Sequence, residues 1–241
     1  MTQLTVHSDQ GGRATPAPPL LTPDDRRPIT AVVADPRVRL GAGTAVVLVT
    51  AWAARRGRIS SAEVTAFRAV NALPDSIQLP AWATMQLGTL GAAPVAAGIA
   101  WLAGERQLAG RLLAAGTGTW ALSKSVKQMV RRPRPASLLP GTHRRGPDAA
   151  GLGYLSGHAG VAVALGAGAL PHLGPVGRVL TLIAIPVVGL TRVYVGAHLP
   201  LDILGGAALG LAVDAAMTLA QRQAALIRAT AGSRASVGRP H

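Results

Sequence analysis

Three short stretches hold the side chains that could carry chemistry. The most telling is GLTRVYVGAHLPLDILGG, residues 189–206, where Arg192, His198 and Asp202 interrupt an apolar run. His198 and Asp202 stand four apart, on one face of a helix that begins near Ala197. A carboxylate beside an imidazole holds one tautomer, leaves the other ring nitrogen free to attack, and stabilises the cation that results. Arg192 supplies a permanently charged, forked donor suited to phosphate oxygens. Pro200 is tolerated in a first helical turn. Taken alone, the same residues also read as a structural ion pair at a helix start.

The second stretch is YLSGHAGVAVAL, residues 154–165, in which Ser156, Gly157 and His158 precede an uninterrupted apolar helix. Free backbone N–H groups and the positive end of the helix dipole favour an anion there. Gly157 lets the backbone approach it and Ser156 can add a hydroxyl, although a Ser N-cap with an incidental His reads equally well. The third stretch is KQMVRRPRP, residues 127–135, where Lys127 and Arg134 are seven apart and two helical turns bring them to one face. Pro133 and Pro135 end the helix. By itself this run also fits a basic membrane-proximal anchor.

These stretches need elements to bring them together. The chain has 241 residues, 49% hydrophobic and only 14% charged, with few aromatics and much Ala, Gly, Leu and Val. Small residues of this kind suit closely packed membrane helices. The absence of cysteine excludes disulfides, thiolate catalysis and Cys-bound zinc. A net charge of +14 raises nucleic acid as a partner, but the basic residues flank apolar segments, which favours a membrane surface instead.

Six apolar segments are expected, at about residues 40–54, 76–104, 108–129, 157–173, 176–195 and 201–220, in an all-α bundle crossing a membrane. The first is short for a crossing and relies on arginines at its ends. Ser60 to Glu63 resembles a capping box. It opens a short helix whose Val64, Phe67, Val70 and Leu73 stripe would lie at the interface or pack on the bundle. Residues 1–37 are polar and Pro-rich, without the layout of a cleavable signal, and are expected to form a loose tail, as is the basic stretch 221–241. The domain proper is then 38–220.

Six crossings put the three polar stretches on one membrane face. Lys127, Arg134 and Arg192, a helix N-terminus and two histidines would then form an oxyanion site with a nucleophile and a proton donor. At these residues the sequence resembles the type 2 phosphatidic acid phosphatase (PAP2) superfamily, whose signature is K-x6-RP, PSGH and SR-x5-H-x3-D. Lys127 to Pro135 matches the first part in full; Leu155 replaces Pro in the second and Thr191 replaces Ser in the third.

The resemblance implies metal-independent hydrolysis of a phosphomonoester or pyrophosphate in two steps, with no cofactor and no metal. His198 would attack phosphorus to give a phosphohistidine, oriented by Asp202, while His158 protonates the departing oxygen and then activates water. Lys127, Arg134, Arg192, Ser156 and Gly157 would hold the equatorial oxygens. The expected partners are a lipid phosphate or diphosphate and the membrane, not nucleic acid; polyprenyl carriers of wall synthesis are favoured over phosphatidylglycerophosphate or phosphatidate.

Competing readings are a vanadate-holding halide oxidiser, a lipid-phosphate binder without catalysis, and a metal site at His158, His198 and Asp202. Arg131, Arg132, Arg144 and Arg145 read as solvated loop charge, and His143 and His172 as surface residues. Asp214 reads as a possible partner for an arginine near the opposite surface. Arg26, Arg27, Arg37 and Arg39 favour cytoplasmic ends and an outward-facing site in a cell membrane.

Overall fold

The computed structural model describes residues 35–146 and 151–237, so the expected tail over residues 1–34 lies outside the described part. The described residues form an all-α bundle. Its elements are α1 (Pro36–Arg55), α2 (Ser61–Asn71), α3 (Gln78–Met85), α4 (Ala92–Leu102), α5 (Arg106–Val130), the single turn α6 (Pro135–Leu138), α7 (Gly157–Ala169), α8 (Pro175–Tyr194) and α9 (Pro200–Val237).

Each expected segment is helical, but the bounds differ for physical reasons. Helix α1 begins before the apolar run, because Asp35 accepts from the Arg37 N–H at 2.8 Å and Pro36 occupies the first turn. Its 20 residues reach about 30 Å, so the short crossing expected from hydropathy is lengthened at its N-terminus. The second segment is broken: α3 and α4, with a short 3-10 turn between them, bend by 69°. Helix α7 has only 13 residues, roughly 20 Å. Helix α9 runs on through Val237, past the point where the composition suggested a loose tail.

By length and apolar character, α8 and α9 can cross a membrane, and the bent pair α3–α4 makes a third candidate if it acts as one span. Six crossings are therefore more than these criteria support among the described residues. Helices α1 and α5 are long enough, but charge at their ends dilutes them; α7 is too short.

The burial pattern is inverted relative to a water-soluble bundle. Inside are Ala93, Ala97, Ala115, Ala164 and Ala215, each at most 8% exposed, whereas Leu79, Leu102, Val176 and Ile99 are at least 64% exposed. Large side chains turned outward and small ones inward suit a surrounding of hydrocarbon. Helix α9 lies against α1 on one side and α7 on the other. The α7–α9 contact depends on glycine: a Cβ on Gly206 would lie 2.2 Å from the Ser156 carbonyl oxygen, and one on Gly210 2.2 Å from that of Gly160. Because Gly206 touches Ser156, this close approach also sets the floor of the polar site.

Helix α2 packs on the bundle. Phe67 is 1% exposed and joins Leu139, Val193 and Leu199 in a cluster against which Val64 and Val70 also rest. Val64, Phe67 and Val70 therefore face inward while Leu73 stays exposed. Of the two readings, interfacial helix or helix packed on the bundle, the second holds: α2 is seated on α8 and α9. Only half of the capping box forms: Ser60 Oγ accepts from the Glu63 N–H at 3.1 Å, but the Glu63 carboxylate is engaged elsewhere.

At the end of the bundle remote from the polar stretches, Asp214 is 1% exposed and accepts from Arg39 at 2.7 Å and Arg111 at 2.5 Å. One carboxylate thus ties α1, α5 and α9 together. Removing one partner of such a buried set strands the others. Asp214→Ala is expected to cost about 3–5 kcal/mol, measured as a lowered thermal midpoint in detergent; an unchanged midpoint would refute the tie.

Candidate active site

The three polar stretches meet at one end of the bundle, and hydrogen bonds join them in pairs. Lys127, in the last turn of α5, donates to the carbonyls of Leu152 and Gly153, both at 3.2 Å. Arg134, just past α5, donates to the Ala197 carbonyl at 3.0 Å. The Ser156 N–H donates to the Asp202 carbonyl at 2.8 Å. The first stretch is thus bonded to the two residues that lead into the second and to the third, and the second to the third.

Local sequence explains each placement. Arg131 ends α5 in the left-handed conformation, with φ 55°, and Pro133 and Pro135 carry the chain away. Ser156 caps α7, its Oγ accepting from the Ala159 N–H at 3.4 Å, so the capping role read from the sequence is present. Gly157 is required by packing as well as by any anion, since a Cβ there would lie 2.9 Å from Ser123 Oγ on α5. Leu155, in place of the usual Pro, is fully buried in a cluster with Tyr154, Ala54 and Leu209, so packing anchors this loop. The Thr191 hydroxyl donates to the Val188 carbonyl of its own helix at 2.8 Å.

At the centre, Asp202 has no exposed surface. Its Oδ2 accepts from the Leu199 N–H at 2.8 Å and lies 3.7 Å from His198 Nδ1, a contact longer than a hydrogen bond. His198 is 3% exposed, and its Nδ1 makes no hydrogen bond among the described residues. The Arg192 Nε is likewise buried without such a bond, while Nη1 donates to the Met85 thioether, a weak acceptor. His158, half-buried at the start of α7, lies within electrostatic reach of Arg192, His198, Lys127 and Arg134. A cavity of about 490 Å³ opens beside Arg134 and Arg192, walled by Trp82, Met85 and Arg144. The structure thus draws His158, His198, Asp202, Lys127, Arg134, Arg192, Ser156 and Gly157 to one end of the bundle.

Two residues of this centre were not singled out by spacing. Arg132, expected as solvated loop charge, is 3% exposed and bonded to Asp202 and Glu63. It ends up inside because the chain turns back under α2 after α5. Arg145, also expected in solvent, donates to Asp75, to the carbonyls of Asn71, Leu73 and Tyr194, and lies over the Tyr194 ring. It fastens the loop before the second stretch. His143 is held through its backbone by Asn71, and His172 stays near the surface, 3.9 Å from Glu105.

With this geometry in view, comparison with known proteins gives a consistent answer. Residues 108–225 match the PAP2 superfamily, a range that contains all three motifs. Residues 108–225 are a PAP2 superfamily region, that of a PAP2-type phosphatase, a hydrolase of phosphoric monoesters. Two solved structures share the fold. LpxE from Aquifex aeolicus is 20% identical, with a TM-score of 0.59 over 64% of this chain and 93% of that one. A transmembrane PAP2 type phosphatidylglycerolphosphate phosphatase from Bacillus subtilis is 18% identical, with a TM-score of 0.61 over 76% of this chain and 96% of that one. No curated protein matches the chain.

Burial pushes the His198 imidazole down from 6.5 to about 3, against the opposing pull of Asp202. The folded value lies below the unfolded one, so the stability held by the neutral ring is complete above 6.5 and is lost as pH falls toward about 3. His198→Gln removes this term. The difference in thermal midpoint between wild type and His198→Gln is therefore expected to shift against wild type as pH is lowered from about 7 to about 4. Parallel curves would show that the ring protonates freely in the folded protein.

Proposed function

We propose that the chain is a membrane lipid phosphatase that hydrolyses a phosphomonoester or pyrophosphate through a phosphohistidine at His198, without a metal. The observation that carries this reading is the pairwise bonding of the three motif stretches around the Asp202–His198 contact. With Asp202 facing Nδ1, Nε2 is the ring nitrogen left to attack phosphorus. As the bond to phosphorus forms, the imidazole gains positive charge, which the buried carboxylate stabilises. Lys127, Arg134, Arg192, the Ser156 hydroxyl and the Gly157 N–H hold the equatorial oxygens, where transition-state charge accumulates. His158 delivers a proton to the leaving oxygen, then takes one from the water that cleaves the intermediate.

A lipid fits the surroundings. An apolar groove of about 530 Å³ runs between α4, α7 and α8, walled by Val95, Ile99, Leu165, Ile185 and Val188. Its wall at Val188 meets Gly88, where a Cβ would lie 2.5 Å from the His158 carbonyl oxygen, so the groove adjoins the phosphate end. A polyprenyl diphosphate or phosphate is the favoured substrate. Phosphatidylglycerophosphate is the second, supported by the fold shared with the Bacillus subtilis enzyme. The site lies on the extracytoplasmic face. This is supported by Arg37, Arg106, Arg178, Arg222 and Arg228 toward the other end of the bundle, against which Arg55, Arg56 and Arg58 stand at the site end.

Phosphate release from undecaprenyl diphosphate, undecaprenyl phosphate, phosphatidylglycerophosphate and phosphatidate in mixed micelles tests both levels. Wild type is expected to release phosphate, fastest from a polyprenyl substrate, and His198→Ala to lose at least about 1,000-fold. Near-normal turnover by His198→Ala would sink the nucleophile, and binding without release from any lipid would favour a non-enzymatic lipid-phosphate binder.

A further inference from the structure

We infer that Arg132, with Glu63 as its counter-charge, is the positioning element that sets the Asp202 carboxylate on His198. The inference rests on His198 being the nucleophile. Arg132 donates through Nη1 to Asp202 Oδ1 at 2.9 Å and to Glu63 Oε1 at 3.1 Å, and through Nη2 to Glu63 Oε2 at 3.0 Å. Glu63 Oε1 also accepts from the Leu201 N–H, in the first turn of α9, at 3.1 Å. The two side chains are 3% and 9% exposed, so solvent does little to screen them.

Two consequences follow. The first is geometric. Asp202 is gripped at both oxygens, by Arg132 at Oδ1 and by the Leu199 N–H at Oδ2, so it cannot rotate away from His198 Nδ1. The Leu201 bond to Glu63 fixes the helix turn that carries Asp202 to the same clamp. The second is electrostatic. One guanidinium is shared by two carboxylates, which leaves the group one negative charge in excess. Without Glu63, Arg132 would neutralise Asp202 and remove the charge that stabilises His198 as it bonds to phosphorus. Glu63 therefore acts from α2, through two intermediaries, on a ring it does not touch.

The test uses the purified full chain in detergent and two anions. Orthovanadate adopts a five-coordinate form that needs a bond from the positioned imidazole, whereas inorganic phosphate is held by the cationic cradle alone. Calorimetric titration gives a Kd for each. Glu63→Gln, isosteric with the native side chain, and Arg132→Lys are each expected to weaken orthovanadate roughly tenfold or more while phosphate stays within about twofold. Equal weakening of both anions, or no change in either, overturns the proposal. So does failure of both variants to give monodisperse folded protein, because the cluster would then be a bolt of the fold. Wild type and His198→Ala separate the two levels. If wild type shows no preference for orthovanadate, or His198→Ala keeps it, the nucleophile reading fails and this inference with it. If both controls behave and the variants keep the full preference, this inference alone fails.

Discussion

A carboxylate with no exposed surface has to be surrounded by donors, and Asp202 sets that requirement for the whole polar end of the bundle. Its neighbours answer from separate parts of the chain: Arg132 from the loop after α5, the Leu199 N–H from the approach to α9, and His198 from the same approach. Its own carbonyl receives the Ser156 N–H, which places the N-terminus of α7 beside it. The polar site is thus assembled around one buried negative charge, and under the proposed function the cations nearby would hold a second.

That polar end is carried by a scaffold with little capacity for hydrophobic burial of the usual kind. Its interior is rich in Ala and Gly beside a limited set of larger residues such as Leu155 and Val161, and much of its Leu, Ile and Val points outward. In hydrocarbon such a scaffold gains nothing by hiding large side chains, so helices hold together by close approach and a few buried ionic ties. Gly206 and Gly210 provide the first, and the Arg39–Asp214–Arg111 set provides the second. The two devices act at different levels of the bundle and meet on α9, which is why that helix can support both the site at its start and the tie further along.

The eight motif residues could be picked out because a K-x6-RP run, a Ser-Gly-His before an apolar helix and an R-x5-H-x3-D array are recognisable spacings. Each stretch alone also read as an anchor, a cap or an ion pair; the structure brings the three to one end of the bundle. The all-α character was equally plain from long uncharged runs. What escaped were features decided by distant partners. Arg132 sits among five other basic residues within 127–145, and only its burial against Glu63 and Asp202 distinguishes it. Glu63 looked like a capping residue because its spacing from Ser60 is right, and its N–H does serve that cap, but its carboxylate is turned to another task. Hydropathy also placed the start of α1 too late, since it stops counting at Arg39 and does not know that Asp214 neutralises that charge. The bend between α3 and α4 was hidden in an uncharged run, where composition is silent about direction.

Helix α9 has one further consequence. At 38 residues it measures about 57 Å, nearly twice the roughly 30 Å of bilayer hydrocarbon. Since its first turn is fixed at the polar site, a crossing by α9 leaves the excess length on the other side of the membrane. That excess is a projecting rod, with Arg222 and Arg228 on it, at the end of α9 opposite the polar site. Anything grafted beyond that rod reports from the far compartment while leaving the headgroup entrance unobstructed.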